Sequence, residues 1–160
     1  MAAPSMNAVA DRFAEHDVAS VFLYTYEAHP GEHYPHLSSM EQKFRHAHAL
    51  RDEYGVHRRI LVDSLDGACH RAYGSMPNMT WVFTKGGVPV YKSDWTDSGS
   101  LAHALEYFLE VTERRKAGAR LTQFRVERAD FRQTDTDRFY AGLERNGPKA
   151  VEEFRRFAAG

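Results

Sequence analysis

A short apolar run, Val18 to Tyr26 (VASVFLYTY), constrains the fold of this chain more than any other stretch. Its length and its β-branched and aromatic residues are typical of a strand buried on both faces of a sheet. The run is followed directly by Glu27, Ala28, His29 and Pro30. In open α/β sheets the ligand site lies beyond the carboxyl ends of the strands, so the carboxylate and imidazole placed here form a candidate site.

Composition limits the class of protein. The chain has 160 residues, of which 42% are hydrophobic and 27% charged, which suits one globular core and argues against a disordered or membrane protein. The net charge is −1 and no run of Lys and Arg is dense, so nucleic acid is a poor candidate partner. No stretch has the apolar length of a membrane span, and the first residues lack the order of a signal peptide, so we expect a cytoplasmic protein.

Hydrophobic spacing predicts the element order α-β-α-β-α-β-β-α from Met6 onward. The expected helices run from Met6 to Phe13, from Ser38 to about Tyr54, from Ala68 to Tyr73 and from Ser100 onward, and the strands after the first are Arg59 to Asp63, Thr80 to Thr84 and Val88 to Ser93. Lys85-Gly86-Gly87, between the last two strands, is a hairpin signature. This order predicts an α/β fold with mixed strand directions.

The second helix is expected to begin with a capping box. Ser38 and Glu41 have the required spacing, and Gly55 follows the last turn. Four apolar residues recur at helical spacing and are expected to face the core: Met40, Phe44, Ala47 and Leu50. His46 and His48 are two residues apart and therefore point to different faces of this helix, which makes them poor partners for one another.

Two stretches carry a resemblance to a known family. Asp63 to Ser93 (DSLDGACHRAYGSMPNMTWVFTKGGVPVYKS) resembles the second half of a peroxiredoxin-like thioredoxin fold, with its Asp-Gly turn, short helix ending in Ala-Tyr-Gly and glycine-tipped hairpin. Phe22 to Pro30 (FLYTYEAHP) resembles the iodothyronine deiodinases and their bacterial relatives, in which a tyrosine-rich strand ends in Glu-x-His-Pro. The resemblance covers Pro4 to Glu110 and implies a thioredoxin-like mixed sheet with flanking helices.

The chain departs from that family at the nucleophile. In deiodinases a selenocysteine, or a cysteine in relatives, precedes the helix that matches Met6 to Glu15, so this position and the strand before it would lie upstream of Met1. The fold is therefore expected to be N-terminally truncated. Cys69 does not match the nucleophile, cannot form a disulfide or CxxC pair on its own, and is expected to be a buried, unreactive hydrophobe. The thioredoxin cis-proline is also missing, since Met79 stands before the strand at Thr80 to Thr84.

The resemblance implies that Glu27 and His29 are the acidic and histidine residues that handle protons and contact a phenolic ligand. From the residues alone, a carboxylate two positions from an imidazole can fix its tautomer and adjust its pKa for acid or base work. The alternative is that both side chains only satisfy backbone groups of the loop. Five further side chains are candidate ligand-binding residues: Tyr24, Tyr26, His33, His36 and Trp95. The alternative is core packing for the two tyrosines, solvated loop positions for the two histidines and a turn anchor for Trp95.

The histidine cluster after the strand does not predict a metal site. His29, His33 and His36 are ligand types that zinc or iron prefers. Their spacing would bring them together only on a helix, and Pro30 and Pro35 prevent one here. We therefore predict no metal and no cofactor.

The composition becomes more charged from Val111 onward, and we expect residues 118–160 to be an extension of a domain formed by 1–117. Leu121 to Glu127 (LTQFRVE) alternates like a half-buried strand and is expected to pair with the main sheet, in its own chain or in a dimer partner. It would either fill the missing central place or lie at an edge. Thr134 and Pro148 then start two short amphipathic helices. Their apolar faces must be buried on the main domain or in a homodimer.

Two function classes follow from these observations. The first is a deiodinase-like protein without the redox nucleophile, in which Glu27 and His29 carry out acid-base chemistry on a small aromatic substrate. The second is a non-catalytic ligand-binding or assembly module built on the same pocket. A third hypothesis is that Met1 is not the true translation start. The whole protein would then be a thiol- or selenol-dependent reductase or dehalogenase whose nucleophile lies upstream of Met1. The sequence names no substrate.

Overall fold

The computed structural model describes the backbone of residues 3–159 and the side chains of residues 5–159. The elements are α1 (Ala3–Ala14), β1 (Val21–Tyr24), α2 (Met40–Asp52), β2 (Arg59–Val62), α3 (Ala68–Tyr73), β3 (Thr80–Phe83), β4 (Pro89–Ser93), α4 (Ser98–Lys116), α5 (Thr136–Arg145) and α6 (Pro148–Ala158). The fold is mixed α/β, and its first eight elements follow the predicted order. Within this part of the chain no helix is long and apolar enough to cross a membrane.

The four strands form two separate pairs, where a single sheet was predicted. β1 and β2 are parallel, with Val21 opposite Arg59, and β3 and β4 are antiparallel, with Thr80 opposite Ser93. β1 has only four residues, and Val21 is 52% exposed. The prediction of a strand buried on both faces is therefore wrong, since Tyr24 is the only one of the four residues that is buried.

The main core lies between α1, α4 and the hairpin. Met6 and Phe13 of α1 pack with Leu101 and Leu105 of α4, and Val82 is among the hairpin residues packed against them. Amphipathic helices of this kind are stabilised by burying their apolar faces on each other. This core holds α1 against the second sheet.

Polar contacts connect the same helix to the region of the first sheet. Asn7 Nδ2 of α1 donates a hydrogen bond to the carbonyl oxygen of Gly55, at 2.6 Å, and Arg58 Nε donates to Asn7 Oδ1, at 3.2 Å. Gly55 and Arg58 precede β2 directly. α1 therefore contacts both halves of the strand arrangement.

α2 turns a partly polar face to the interior. Of the four residues predicted to face the core, Ala47 is buried and Met40 and Leu50 are half-buried, so the prediction is wrong only for Phe44. Lys43, His46 and Ala47 are buried, whereas Phe44 is 48% exposed. The polar side chains can be buried because they have partners, such as the carbonyl oxygen of Ser64, which accepts from Lys43 Nζ at 2.9 Å. The helix cap also shifts by one residue, since Ser39 Oγ accepts from the Gln42 amide at 3.2 Å.

The segment after α4 does not form the predicted strand. Leu121 to Glu127 is irregular, and Phe124 and Val126 are 79% and 71% exposed. Pairing with the sheet of its own chain is therefore wrong. The alternate residues Gln123 and Arg125 are polar, so a pairing would bury only one narrow apolar face and would have to offset the entropy of ordering the segment. Pairing with a second copy stays a prediction.

The two C-terminal helices pack on each other and on the loop after β1. The rings of Phe139 in α5 and Phe154 in α6 lie 4.7 Å apart between centroids. The turn between the helices, at Asn146, meets the loop at Gly31 so closely that a Cβ on Gly31 would overlap the carbonyl oxygen of Asn146. The two backbones can approach this far only because residue 31 is glycine.

We predict that Gly31→Ala lowers the free energy of unfolding by about 1–3 kcal/mol, because the new methyl group must push two backbones apart. Gly142→Ala is the matched control: it lies within α5 with nothing near its Cβ position, and should raise stability by about 0.5–1 kcal/mol. Urea denaturation measures both. Wild-type stability in Gly31→Ala would contradict this close approach.

Candidate functional site

Asn146 fixes the conformation of the loop that follows β1. Its Nδ2 donates to the carbonyl oxygen of His29 at 2.8 Å, and its Oδ1 accepts from the Tyr34 amide at 2.7 Å. Its own carbonyl oxygen accepts from the His33 amide at 3.2 Å. Asn146 is only 8% exposed, so these hydrogen bonds are shielded from water. A residue between α5 and α6 thereby orders the loop that carries five of the candidate site residues: Tyr26, Glu27, His29, His33 and His36.

The ordered loop and α2 enclose a surface cleft of about 620 Å³. The loop supplies one wall, α2 a second, and the end of α5 contributes an arginine. The lining residues are Glu32, His33, Tyr34, Pro35, Gln42, Arg45, His46, Ala49, Glu53 and Arg145. Eight of these ten residues carry a polar or charged group, so the cleft is mainly polar and suits a ligand that has polar groups of its own.

His46, one of the lining residues, belongs to a shielded polar network. Its Nδ1 lies 3.2 Å from Glu27 Oε1 and 3.3 Å from the Tyr24 hydroxyl, and that hydroxyl donates to the same Glu27 oxygen. Tyr24 and His46 are 6% and 8% exposed, and the Glu27 side chain is 21% exposed. The network therefore joins the end of β1 to the middle of α2 in a place that water reaches only in part.

Two tyrosines of the site are held in their neutral form. Burial, together with the hydrogen bond to Glu27 and its charge, raises the pKa of the Tyr24 phenol far above its usual value. Burial and the hydrogen bond to Glu53, at 2.8 Å, likewise raise the pKa of Tyr34. The Tyr34 ring meets the His46 ring edge-on, with centroids 5.1 Å apart. Both phenols therefore act as hydrogen-bond donors at neutral pH.

The imidazole that accompanies Glu27 is His46, and not His29 as predicted. The His29 ring lies edge-on to Phe139 and Phe154, at centroid distances of 6.1 and 5.4 Å. Burial in this aromatic setting lowers the pKa of His29, and the nearby charge of Glu153 opposes the shift only in part. Glu27 and His29 are two residues apart in sequence, yet their side chains have different neighbours: Glu27 contacts His46, and His29 contacts the aromatic rings of α5 and α6.

The remaining predicted ligand-binding residues are dispersed. His33 lines the cleft, whereas His36 does not and uses its carbonyl oxygen to accept from Gln42 Nε2 at 3.2 Å. Tyr26 is 42% exposed and lies against the His70 ring, with centroids 5.2 Å apart. Trp95 lies at the turn after β4, where its backbone bonds to Ser93. Among the described residues, no group of three or more His, Cys, Asp or Glu side chains is placed to hold a metal ion.

His46, Tyr34 and Arg145 line the cleft although the sequence does not predict them as site residues. His46 lies three residues from Lys43 and next to Ala47, and this spacing is the one signal in the sequence for an inward polar face of α2. Arg145 has no such signal, because it enters the cleft from a distant part of the chain.

Cys69 is half-buried, not fully buried as predicted. Its amide donates to Asp63 Oδ1 at 3.0 Å, and the amide of His70 donates to Oδ2 at 2.8 Å. Burial and the negative charge of Asp63 both raise the pKa of the Cys69 thiol. The cysteine therefore lacks the electropositive surroundings that make a thiol reactive.

No family model, no curated protein and no solved structure matches this chain. The class of protein therefore has to be argued from the chemistry of the cleft and of the Tyr24, Glu27 and His46 network.

We predict that Cys69 is alkylated slowly by iodoacetamide at neutral pH, because its raised pKa leaves little thiolate. The pH at which the alkylation rate begins to rise should be higher for the folded protein than for the same protein unfolded in urea. Mass spectrometry of samples quenched over a pH series gives both profiles. A folded-state profile at lower pH than the unfolded one would show an activated thiol.

We predict that His29 makes the fold less stable in mild acid. Its pKa is lower in the folded state, so the unfolded chain binds the proton more readily and stability falls as pH drops through the ordinary imidazole value of about 6.5. The urea midpoint should decrease less between pH 7.5 and 5.5 in His29→Asn than in wild type. His103→Asn, at an exposed position of α4, is the control. An unchanged decrease in His29→Asn would contradict the burial of His29.

Proposed function

We propose that the cleft is an acid-base active site for a small aromatic substrate, with Glu27 and His46 as its catalytic pair. The observation that carries the proposal is the 3.2 Å contact between Glu27 Oε1 and His46 Nδ1 at the wall of the cleft. Carboxylate and imidazole are the groups most used for proton transfer near neutral pH. Shielding from water strengthens their interaction.

In this proposal Glu27 orients the imidazole and His46 transfers the proton. An Nδ1–H bonded to the carboxylate leaves Nε2 of His46 as the free base, which is the arrangement by which a second group fixes the tautomer of a catalytic histidine. Within the described chain Nε2 has no hydrogen-bond partner. Tyr24 donates to the carboxylate and holds it in place. His29, which was predicted for this role, is given the role of positioning the loop through Phe139 and Phe154.

The side chains that line the cleft support a substrate with an aromatic ring. Tyr34 presents a ring beside His46, and Pro35 and Ala49 add apolar surface. Aromatic rings favour edge-to-face and offset contacts with such side chains. A planar substrate would find both an apolar wall and the imidazole in one cleft.

We also propose that the chain forms a deiodinase-like, thioredoxin-like domain. The sequence described contains no residue at the position of the redox nucleophile. The proposal is supported by the order of the first eight elements and by the hairpin of β3 and β4. The separation of the strands into two pairs, both contacted by α1, is the arrangement that a missing central strand would leave.

A non-catalytic ligand-binding module is the second candidate. It is favoured by the low exposure of His46, 8%, which restricts the access of a substrate to Nε2. Turnover distinguishes the two candidates, because a binding module would hold an aromatic compound without changing it.

The test uses 5-nitrobenzisoxazole, an aromatic compound whose ring opens when a base removes the C3 proton and the N–O bond breaks to give a phenolate. We expect wild type to open it faster than imidazole at the same concentration. Glu27→Gln and His46→Asn should each lower kcat by about 10²-fold, the usual size of a general base contribution. Phenolate absorbance measures the rate.

Two controls keep the test specific. Asp11→Asn alters an exposed imidazole-carboxylate pair, with His57 Nε2 at 2.8 Å, and should leave the rate unchanged. Cys69→Ser should also leave it unchanged. Equal rates in wild type and Glu27→Gln, with both proteins folded by circular dichroism, would reject the acid-base site and leave the binding module.

A further inference from the structure

We propose that the cleft recognises an aromatic carboxylate, and that Arg145 binds its carboxylate group. This inference rests on the proposed function for the position of the ring, but it concerns binding and not catalysis. It is argued from the charged side chains that line the cleft and from which of them already have a hydrogen-bond or ion-pair partner.

The two carboxylates of the cleft are bonded within the protein. Glu53 Oε2 accepts from the Tyr34 hydroxyl at 2.8 Å, and the two oxygens of Glu32 lie 3.2 and 3.1 Å from the Lys149 amide at the start of α6. Of the two arginines, Arg45 is engaged as well, since its NH1 lies 2.8 Å from Glu41 Oε1. These three groups serve to build the walls.

Arg145 is the exception. Its guanidinium lies over the Tyr54 ring, 4.7 Å from the centroid, and it has no hydrogen bond or ion pair with any residue that the structure describes. A cation–π contact of this kind uses none of the five N–H donors of the guanidinium. Arg145 therefore lines the cleft with N–H donors that have no partner among the described residues, and a guanidinium can bind a carboxylate through two parallel hydrogen bonds.

The aromatic part of the ligand is indicated by what adjoins Arg145. The Tyr54 ring that carries the guanidinium lies 6.5 Å from the Tyr34 ring, and Tyr34 in turn packs on His46. The cation, the aromatic wall and the imidazole are thus consecutive neighbours. A ligand with its carboxylate at Arg145 has its ring beside Tyr34.

The charge balance of the cleft favours a carboxylate over a phosphate. The lining holds two glutamates and two arginines, and Arg45 is already paired with Glu41, so a dianion would meet only one available guanidinium, Arg145, beside two carboxylates. A single negative charge requires one free guanidinium. A carboxylate is therefore the anion that this cleft accommodates at least cost in repulsion.

The test is a binding titration of the full chain by isothermal calorimetry, with no turnover involved. We expect 4-hydroxybenzoate to bind at least about ten-fold more tightly than the neutral 4-hydroxybenzamide and than phenyl phosphate, because a charge-assisted bidentate contact is worth that much or more. Arg145→Gln should remove the preference for the benzoate and leave the affinity for the benzamide unchanged. Arg145→Lys should keep part of it.

Arg132→Gln is the matched control. Arg132 also stacks on an aromatic ring, with its guanidinium 4.6 Å from the Trp95 centroid, but it does not line the cleft. Equal affinity of wild type and Arg145→Gln for 4-hydroxybenzoate would overturn the inference, and tighter binding of phenyl phosphate would overturn the choice of carboxylate. The proposed function is judged separately, since Glu27→Gln can lose ring opening while it still binds the benzoate.

Discussion

Asn146 joins the C-terminal helices to the loop after β1, and the cleft depends on this junction. Its side chain and carbonyl oxygen are bonded to His29, His33 and Tyr34, and without them these backbone groups would lose their protein partners. Each such group, where it is shielded from water, costs about 1–3 kcal/mol when left unsatisfied. The loop is therefore ordered by contacts with a distant part of the chain, and the turn between α5 and α6 helps to form the cleft.

α2 carries the second constraint, because it buries polar side chains that need partners. His46 contacts Tyr24 at the end of β1 and Glu27 just beyond it, while Lys43 donates to the Ser64 carbonyl beyond the end of β2. Burial lowers the pKa of Lys43, and the nearby charges of Asp63 and Asp66 oppose that shift. Buried polar groups of this kind stabilise a fold only when they are satisfied together. The helix is thereby fixed relative to both parallel strands, and the imidazole is fixed with it.

Much of the local structure could be predicted from the sequence. The bounds of α3 and the position of the β3–β4 hairpin follow from caps, turns and periodicity, which are properties of neighbouring residues. The inward face of α2, the pairing of Glu27 with His46 and the entry of Arg145 into the cleft depend on residues far apart in the chain. The segment Leu121 to Glu127 shows the same limit: alternation indicates which side chains would share a face, but not whether a neighbouring strand exists to pair with.

The loop after β1, α2 and the end of α5 jointly form one cleft. A titration of ¹⁵N-labelled protein with 4-hydroxybenzoate, followed by ¹H–¹⁵N NMR, tests this directly. We expect the amides of His33 and Tyr34 and the Nε of Arg145 to shift together with one dissociation constant, while the indole Nε1 signals of Trp81 and Trp95 do not move. Shifts that cluster elsewhere, or that reach the loop amides without Arg145, would contradict it.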